Sequence, residues 1–265
     1  MEVNNDNPTK SVTKRIFEGT SKKAGMSDED IKLIDNYIHG VKDFSSIVTE
    51  ASYIIDFAEQ RFRFVANHGL FLGEHTCEEV LQLGFDFYPR TVHPEDLPML
   101  IDAYRAILQY VDASDTDLSD LDYFSFTHRI RSYPHHQHPE YLMVYHRVKP
   151  VVIHDKVQIA FCSLSSSIVK KSGNLRIYYE TQHTFDEYSF KTKQWKQVEA
   201  ETLTQQEKLI LKLAKQGKTA PEIAKMLNRS YSTVRNEKMN IFHKLHVHTT
   251  EEAIIYATNH RLIFT

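Results

Sequence analysis

Apolar residues recur at helical spacing in some stretches of the chain and alternate in others, and the order of these patterns divides it. Residues 1 to 25 are polar with scattered apolar side chains, expected to be mobile or loosely docked. SDEDIKLIDNYI then offers Ser27 as a helix cap, acidic residues in the first turn, and Ile31, Ile34 and Ile38 at helical spacing. The pattern predicts a helix to about Gly40 and a second short one from Phe44 to Thr49, the two covering part of the next domain. From Ser52 the period drops to two. SYIIDFAE and RFRFVAN read as paired strands, the second with Phe62, Phe64 and Ala66 on one side and Arg61, Arg63 and Val65 on the other.

Helical spacing returns at Cys77 to Leu83, behind a Thr76 and Glu79 capping box. It returns again in VHPEDLPMLIDAYRAILQYV, striped by Leu100, Ala103, Tyr104, Ile107 and Val111, with Pro94 suited to a first turn. Three segments rich in β-branched and aromatic residues follow: YFSFTHRIRSY, YLMVYHRVKPVVIH and KVQIAFCSLSSSI. Residues 169–202 form a connector with an added hairpin, LRIYYE returning as YSFKTKQW, and Trp195 as its anchor. That connector either transmits changes or serves as a plain spacer.

The last sixty residues change character. Thr204 to Glu207, Thr219 to Glu222 and Thr249 to Glu252 are three TxxE phrases, each placing a hydroxyl and a carboxylate where first-turn N–H groups need partners, and Ser230 marks a fourth helix start. In the first of these helices Leu209, Ile210 and Leu213 are expected to point inward. Gly217 ends it, and Asn228 turns the second helix, with Ile223, Ala224 and Leu227 inside, into the third. At 100° per residue Val234, Ile241 and Leu245 share one arc of that third helix, while Ser232, Arg235, Asn236, Met239 and His243 gather opposite. The outward set has a positive fork, an amide and hydroxyls without a carboxylate, which suits base edges and phosphates.

Charge sharpens this division. The net charge of minus 3 conceals plus 5 between Leu203 and Thr265, where ten basic residues face five acidic ones, against minus 8 before it. With 265 residues, 41% of them hydrophobic, two domains can each bury a core. No apolar run behind a basic start suggests a leader, and none reaches membrane-spanning length, so a cytoplasmic chain is expected. Cys77 and Cys162 lack metal or redox spacing and read as small buried hydrophobes. His135, His136 and His138 read as a solvated hairpin loop, and DASDTDLSDLD as a charged loop, since it lacks the glycine and glutamate of a calcium loop. No metal site is predicted. A phosphate-binding glycine loop, a GxSxG elbow and an HExxH pair are all missing, which argues against an enzyme.

Two strands, short helices, a longer helix and three strands, together with His93-Pro94-Glu95-Asp96-Leu97 before the long helix, resemble a PAS domain over roughly 52–168. The resemblance implies a five-stranded antiparallel sheet with helices over one face, a dimer, and often an internal small-molecule pocket. Phe64, Phe85, Phe126 and Val144 would then either line such a pocket or fill a core. Cys77 does not match the photoactive flavin motif, and residues 97 to 111 contain no histidine to hold haem. No cofactor is expected; His93 reads as a capping or hydrogen-bonding residue.

From Leu203 on, LTQQE, Gly217, Glu222-Ile223-Ala224, Leu227, Ser230, Thr233-Val234, Asn240-Ile241, Lys244-Leu245 and Glu252-Ala253 fall in register with the LuxR/FixJ-type DNA-binding domain, which this segment resembles throughout. The implied fold class is α+β: a PAS-like antiparallel sheet domain with flanking helices, followed by an all-α four-helix LuxR-type helix-turn-helix. The domains expected are an N-terminal extension at 1–51, the PAS-like unit at 52–168, the connector at 169–202 and the helix-turn-helix at 203–265. The resemblance points to Arg235, Asn236 and Met239 for base contacts; Lys218, Thr219, Ser232, Thr233, Lys238 and Lys244 are assigned to phosphates. Gln206, Glu237 and Thr250 depart from common family residues, and Met239 offers methyl contact where a relative can carry a basic side chain, so an operator cannot be transferred. The expected partners are double-stranded DNA, a second copy of the chain and, as secondary candidates, RNA polymerase and a small molecule in the PAS-like unit. A protein adaptor that uses its basic face without DNA is the alternative.

Overall fold

The computed structural model describes residues 11–19, 27–113, 118–132, 140–153, 156–181, 184–199, 203–260 and 262–263. The histidine loop at 135–138 and part of the aspartate-rich loop lie outside these residues. The chain divides into two compact units, Met1–Val198 and Glu199–Thr265.

The first unit contains α1 (Val12–Phe17), α2 (Asp28–Ser45), β1 (Ala51–Asp56), β2 (Arg61–Val65), α3 (Gly69–Leu72), α4 (Cys77–Leu83), α5 (Tyr88–Thr91), α6 (Leu97–Asp112), β3 (Leu121–Ser132), β4 (Glu140–Ile153), β5 (Lys156–Ser166), β6 (Gly173–Tyr179), β7 (Thr184–Ser189) and β8 (Gln194–Glu199). Its strands form one sheet in the order β2-β1-β5-β4-β3-β6-β7-β8. The first five make the antiparallel sheet that the PAS resemblance implies, with the chain's last two long strands inserted beside its first. The hairpin between 169 and 202 is not separate from that sheet, because β6 pairs along β3 and extends it. Trp195 packs there against Tyr110 of α6, Phe124 of β3 and Tyr188 of β7.

Both faces of the sheet are covered. One meets a large core in which Leu100, Tyr104 and Ile107 of α6 join Phe85, Phe126 and Val144; the other packs Ile54 and Ile159 beneath Ile34 of α2. α2 runs unbroken through Gly40, where two helices were expected. That glycine keeps an ordinary backbone conformation, so its small entropic cost does not end the helix. Within the polar stretch before it, α1 buries Val12, Ile16 and Phe17 in the main core, where loose docking was expected. α6 begins at Leu97 with Pro98 in its first turn, three residues later than Pro94 would place it.

A β-bulge corrects the reading of β2. Tyr53 pairs with Val65 and Ile54 with Phe64, but Ile55 pairs with Phe62, so Arg63 is the additional residue. Phe62 and Val65 consequently face the main core, while Phe64 packs on the opposite side with Ile34, Ile54 and Ile159. The four residues assigned to a common pocket are therefore not brought together: Phe85, Phe126 and Val144 share the main core and Phe64 does not.

The second unit is helical: α7 (Gln205–Lys215), α8 (Ala220–Met226), α9 (Tyr231–Leu245) and α10 (Thr250–Asn259). Ile210, Leu211, Leu213, Ile223, Val234, Ile241, Leu245, Ala253 and Ala257 supply its buried side chains. Leu209, expected inside, is 40% exposed, and Leu211 is buried instead. With Glu207 also buried, the inward arc of α7 is centred about 70° from Leu211 and about 130° from Leu209. Among the described residues, no helix is long and apolar enough to cross a membrane.

Candidate functional site

The second unit places one polar helix face outside with its supports behind it. Thr204 caps α7 by accepting from the Glu207 N–H at 3.2 Å, while Glu207 accepts from the Thr204 N–H at 2.8 Å. The same carboxylate accepts from Lys244 Nζ at 2.9 Å, tying the start of α7 to the last turn of α9. Burial alone would raise the Glu207 carboxyl, but Lys244 and the Thr204 cap hold it below the usual range. Gly217 at φ 80° closes α7, with the Lys218 N–H bonded to the Leu213 carbonyl at 3.1 Å. Glu222 accepts from the Thr219 N–H and hydroxyl, setting the start of α8.

Asn228, at φ 51°, then makes the turn, and Arg229 N–H bonds back to the Ala224 carbonyl at 2.9 Å. Ser230 caps α9 by accepting from the Thr233 N–H at 3.1 Å. Three residues thus separate one helix from the next cap, a helix-turn-helix connection. An ion pair from Arg229 to Glu237 braces the turn against α9. The third TxxE phrase differs from the first: Thr249 caps Glu252, but the Glu252 carboxylate reaches back to the His248 N–H.

Val234, Ile241 and Leu245 are buried beneath α9, while Ser232, Arg235, Asn236, Met239 and His243 are exposed. Arg235, Asn236 and Met239 consequently share an open surface. The residues assigned to phosphates divide. Lys218, Thr219 and Ser232 are exposed, and Thr233 and Lys238 are half-buried. Lys244 is drawn to Glu207 on the flank of the helix, and the Thr233 hydroxyl bonds Ser230.

The N-terminal unit holds its polar chemistry inside. Tyr53 of β1, Tyr88 of α5 and Tyr104 of α6 bring their hydroxyls within 2.7 to 3.1 Å of one another, and Tyr53 also meets His146 Nε2 of β4 at 2.6 Å. His128 of β3 lies beside His146, with 5.5 Å between ring centroids and the rings tilted by 54°. All five side chains are buried. Among the described residues, neither ring nitrogen of His128 nor Nδ1 of His146 has a hydrogen-bond partner. Burial lowers His128 to about 4 and His146 well below the ordinary imidazole range, so both are neutral near pH 7. Burial pushes the Cys162 thiol up, which makes it a packing residue; Cys77 is only half-buried.

Sequence reasoning did not assemble this cluster, although three tyrosines and two histidines within otherwise apolar strands and helices were visible. It did identify His93. Its Nδ1 accepts from the Glu95 N–H, and the next turn sends Asp96 to Arg129 and Ser172. Burial would raise Asp96, but the Arg129 and Ser172 hydrogen bonds lower it to about 2.

Residues 201–257 match the family model described as bacterial regulatory proteins, luxR family. No curated protein matches the chain. Among solved structures, a Vibrio cholerae VqmA dimer without target DNA is similar at 12% identity and a TM-score of 0.33, over 90% of this chain and 91% of that one. A phage VqmA bound to DPO shows 16% identity and a TM-score of 0.29, over 86% and 88% respectively. A VqmA–ligand–DNA complex from Vibrio cholera shows 11% and 0.32, over 84% and 88%. Together with the helix-turn-helix geometry, the family match establishes the C-terminal unit as a LuxR-type DNA-binding domain and the chain as a DNA-binding transcriptional regulator.

Proposed function

We propose that two copies of the chain bind a duplex operator through α9, with a small molecule in the N-terminal core setting their activity and no catalytic step of their own. The observation that carries the DNA reading is the exposed Arg235, Asn236 and Met239 surface directly opposite buried Val234, Ile241 and Leu245. Arg235 reads a guanine edge or grips phosphate, Asn236 pairs with adenine, and Met239 touches a thymine methyl. Lys218, Thr219, Ser232, Thr233 and Lys238 fix the register on phosphates. Lys244 acts indirectly, holding α9 to α7 through Glu207.

The ligand reading is supported by the Tyr53, Tyr88, Tyr104, His146 and His128 cluster, where buried polar atoms without protein partners can accept a small polar guest. As domain organisation we propose a PAS-like unit from about 52, with α2 as its outer cover, β6 to β8 as its extension, and the DNA-binding domain from 203 onward. Selection of bound sequences from random duplexes, followed by anisotropy titration, tests the DNA reading. Arg235→Ala should lose about 1 to 3 kcal/mol of discrimination at the selected site. Equal discrimination by mutant and wild type at one salt concentration overturns the assignment.

A further inference from the structure

Beyond Met239, α9 ends beside a half-open groove of about 360 Å³ lined by Met239, Phe242, His243, His246, Val247 and His248. Two backbone features assemble it. His246 adopts the left-handed conformation as the C-cap of α9, and the following Val247 N–H bonds the Phe242 carbonyl at 3.0 Å. Val247 is thereby buried, leaving exposed His246 and His248 on either side of it in sequence. Exposed His243 completes the group and lies on the same helix face as Arg235, Asn236 and Met239. No carboxylate lines the groove, and the surrounding segment from Leu203 carries a net charge of plus 5.

The geometry points to a phosphate-binding extension of the DNA interface, in which His243, His246 and His248 take up protons as they meet the duplex backbone. This rests on the DNA-binding reading above and adds a pH-graded component to it. An exposed imidazole is largely neutral above its ordinary pKa of about 6.5, unlike lysine or arginine. A phosphate oxygen beside it favours the imidazolium, so its pKa is higher in the complex than in the free protein. Its contribution to affinity is full below the free-state pKa and disappears as pH rises through the bound-state value.

Charged groups on the packed elements do not supply the same effect. Glu207 of α7 holds Lys244, and Arg229 of the α8–α9 turn holds Glu237. On α9 itself, Lys238 is half-buried. From α10, Glu252 accepts from the His248 N–H, and Glu251 stands in the same first turn. Tyr256 of α10 meets the ring of His260, the C-cap of that helix, at 4.1 Å between centroids.

The test is anisotropy titration of the full chain against a labelled random-sequence duplex between pH 8 and pH 6, at constant ionic strength. Wild type should tighten by at least about fivefold across that range, as a one-unit rise in a single imidazole pKa requires. The triple variant His243→Gln, His246→Gln and His248→Gln should lose most of this dependence. His243→Lys, tested singly, should bind at pH 8 more tightly than wild type and show a shallower slope. A flat wild-type profile, or a triple variant that retains the full slope, overturns the proposal while leaving DNA binding intact. A change in oligomeric mass with an unchanged pH slope assigns the groove to a second copy and overturns it too. Absence of duplex binding at every pH and at low salt removes the underlying DNA reading instead.

Discussion

The two units place their polar chemistry in opposite locations. In the C-terminal unit it stands exposed on one face of α9, with an apolar arc directly beneath. In the N-terminal unit the converging Tyr53, Tyr88, Tyr104 and His146 are buried among Phe62, Phe85 and Phe126. An exposed face can exchange partners with little effect on the fold, since water satisfies its groups when DNA is absent. A buried cluster cannot, because every unmet donor or acceptor carries a desolvation cost. Changes to the second should therefore register first in stability, and changes to the first in binding.

The strongest test of that contrast is acid. His128 and His146 are buried neutral, and His128 titrates at about 4 against an ordinary 6.5. A depressed imidazole contributes stability that is complete above the unfolded value and is lost as pH falls from there through the folded one. His128 alone should therefore cost the N-terminal unit roughly 3 kcal/mol between pH 6.5 and 4. The sole tryptophan, Trp195, packs within that unit and reports its unfolding separately from the helical one. Denaturation followed by Trp195 fluorescence should show a falling midpoint across this window, and His128→Phe should flatten it. An unchanged pH profile in the variant would break the contrast.

A smaller effect is expected where the DNA-binding unit does bury a charge. Lys244→Met leaves Glu207 with its Thr204 cap but without its cation, and should destabilise the unit by about 1 to 2 kcal/mol near neutral pH. The Lys244 ammonium is partly exposed, which keeps the loss below that of a fully buried pair. The Glu207 carboxyl is held low in the folded state, so this contribution exists above the ordinary carboxylate pKa and disappears as pH falls through the folded value. Thermal melts of wild type and variant should accordingly converge on acidification. Melts that stay separated at pH 3 would mean that the lysine stem, not its charge, supports the helix.

What was legible in the sequence follows the same division. Helix caps are local chemistry, so Ser27, Thr76, Thr204, Ser230 and Thr249 were readable as helix starts and each accepts a first-turn N–H. The two faces of α9 were readable because 100° per residue fixes them without tertiary knowledge. Phe64 was misplaced because the bulge at Arg63 depends on pairing with β1, which alternation within β2 cannot express. The docking of α1 was hidden because Val12, Ile16 and Phe17 form too short a stripe to stand out in a polar segment. The tyrosine cluster was hidden for a different reason. Its members are separated by 35, 51 and 93 residues from Tyr53, and only the order of strands and helices brings their polar ends to one point.

The smallest of these effects concerns the cap of the reading helix. Ser230 accepts from the Thr233 N–H and also contacts the Ser232 and Thr233 hydroxyls, while the turn before it is braced by Arg229 and Glu237. Ser230→Ala removes the side-chain acceptor and should cost about 1 kcal/mol of stability. If the cap serves only the fold, DNA affinity measured well below the melting temperature should remain close to wild type, and Ser230→Asp should restore stability. The aspartate also brings a negative charge to the start of α9, beside exposed Ser232. On the surface proposed to meet phosphate, it should weaken duplex binding while the melting temperature recovers. Recovery of both would place the N-terminal end of α9 away from the backbone and confine the interface to the later turns.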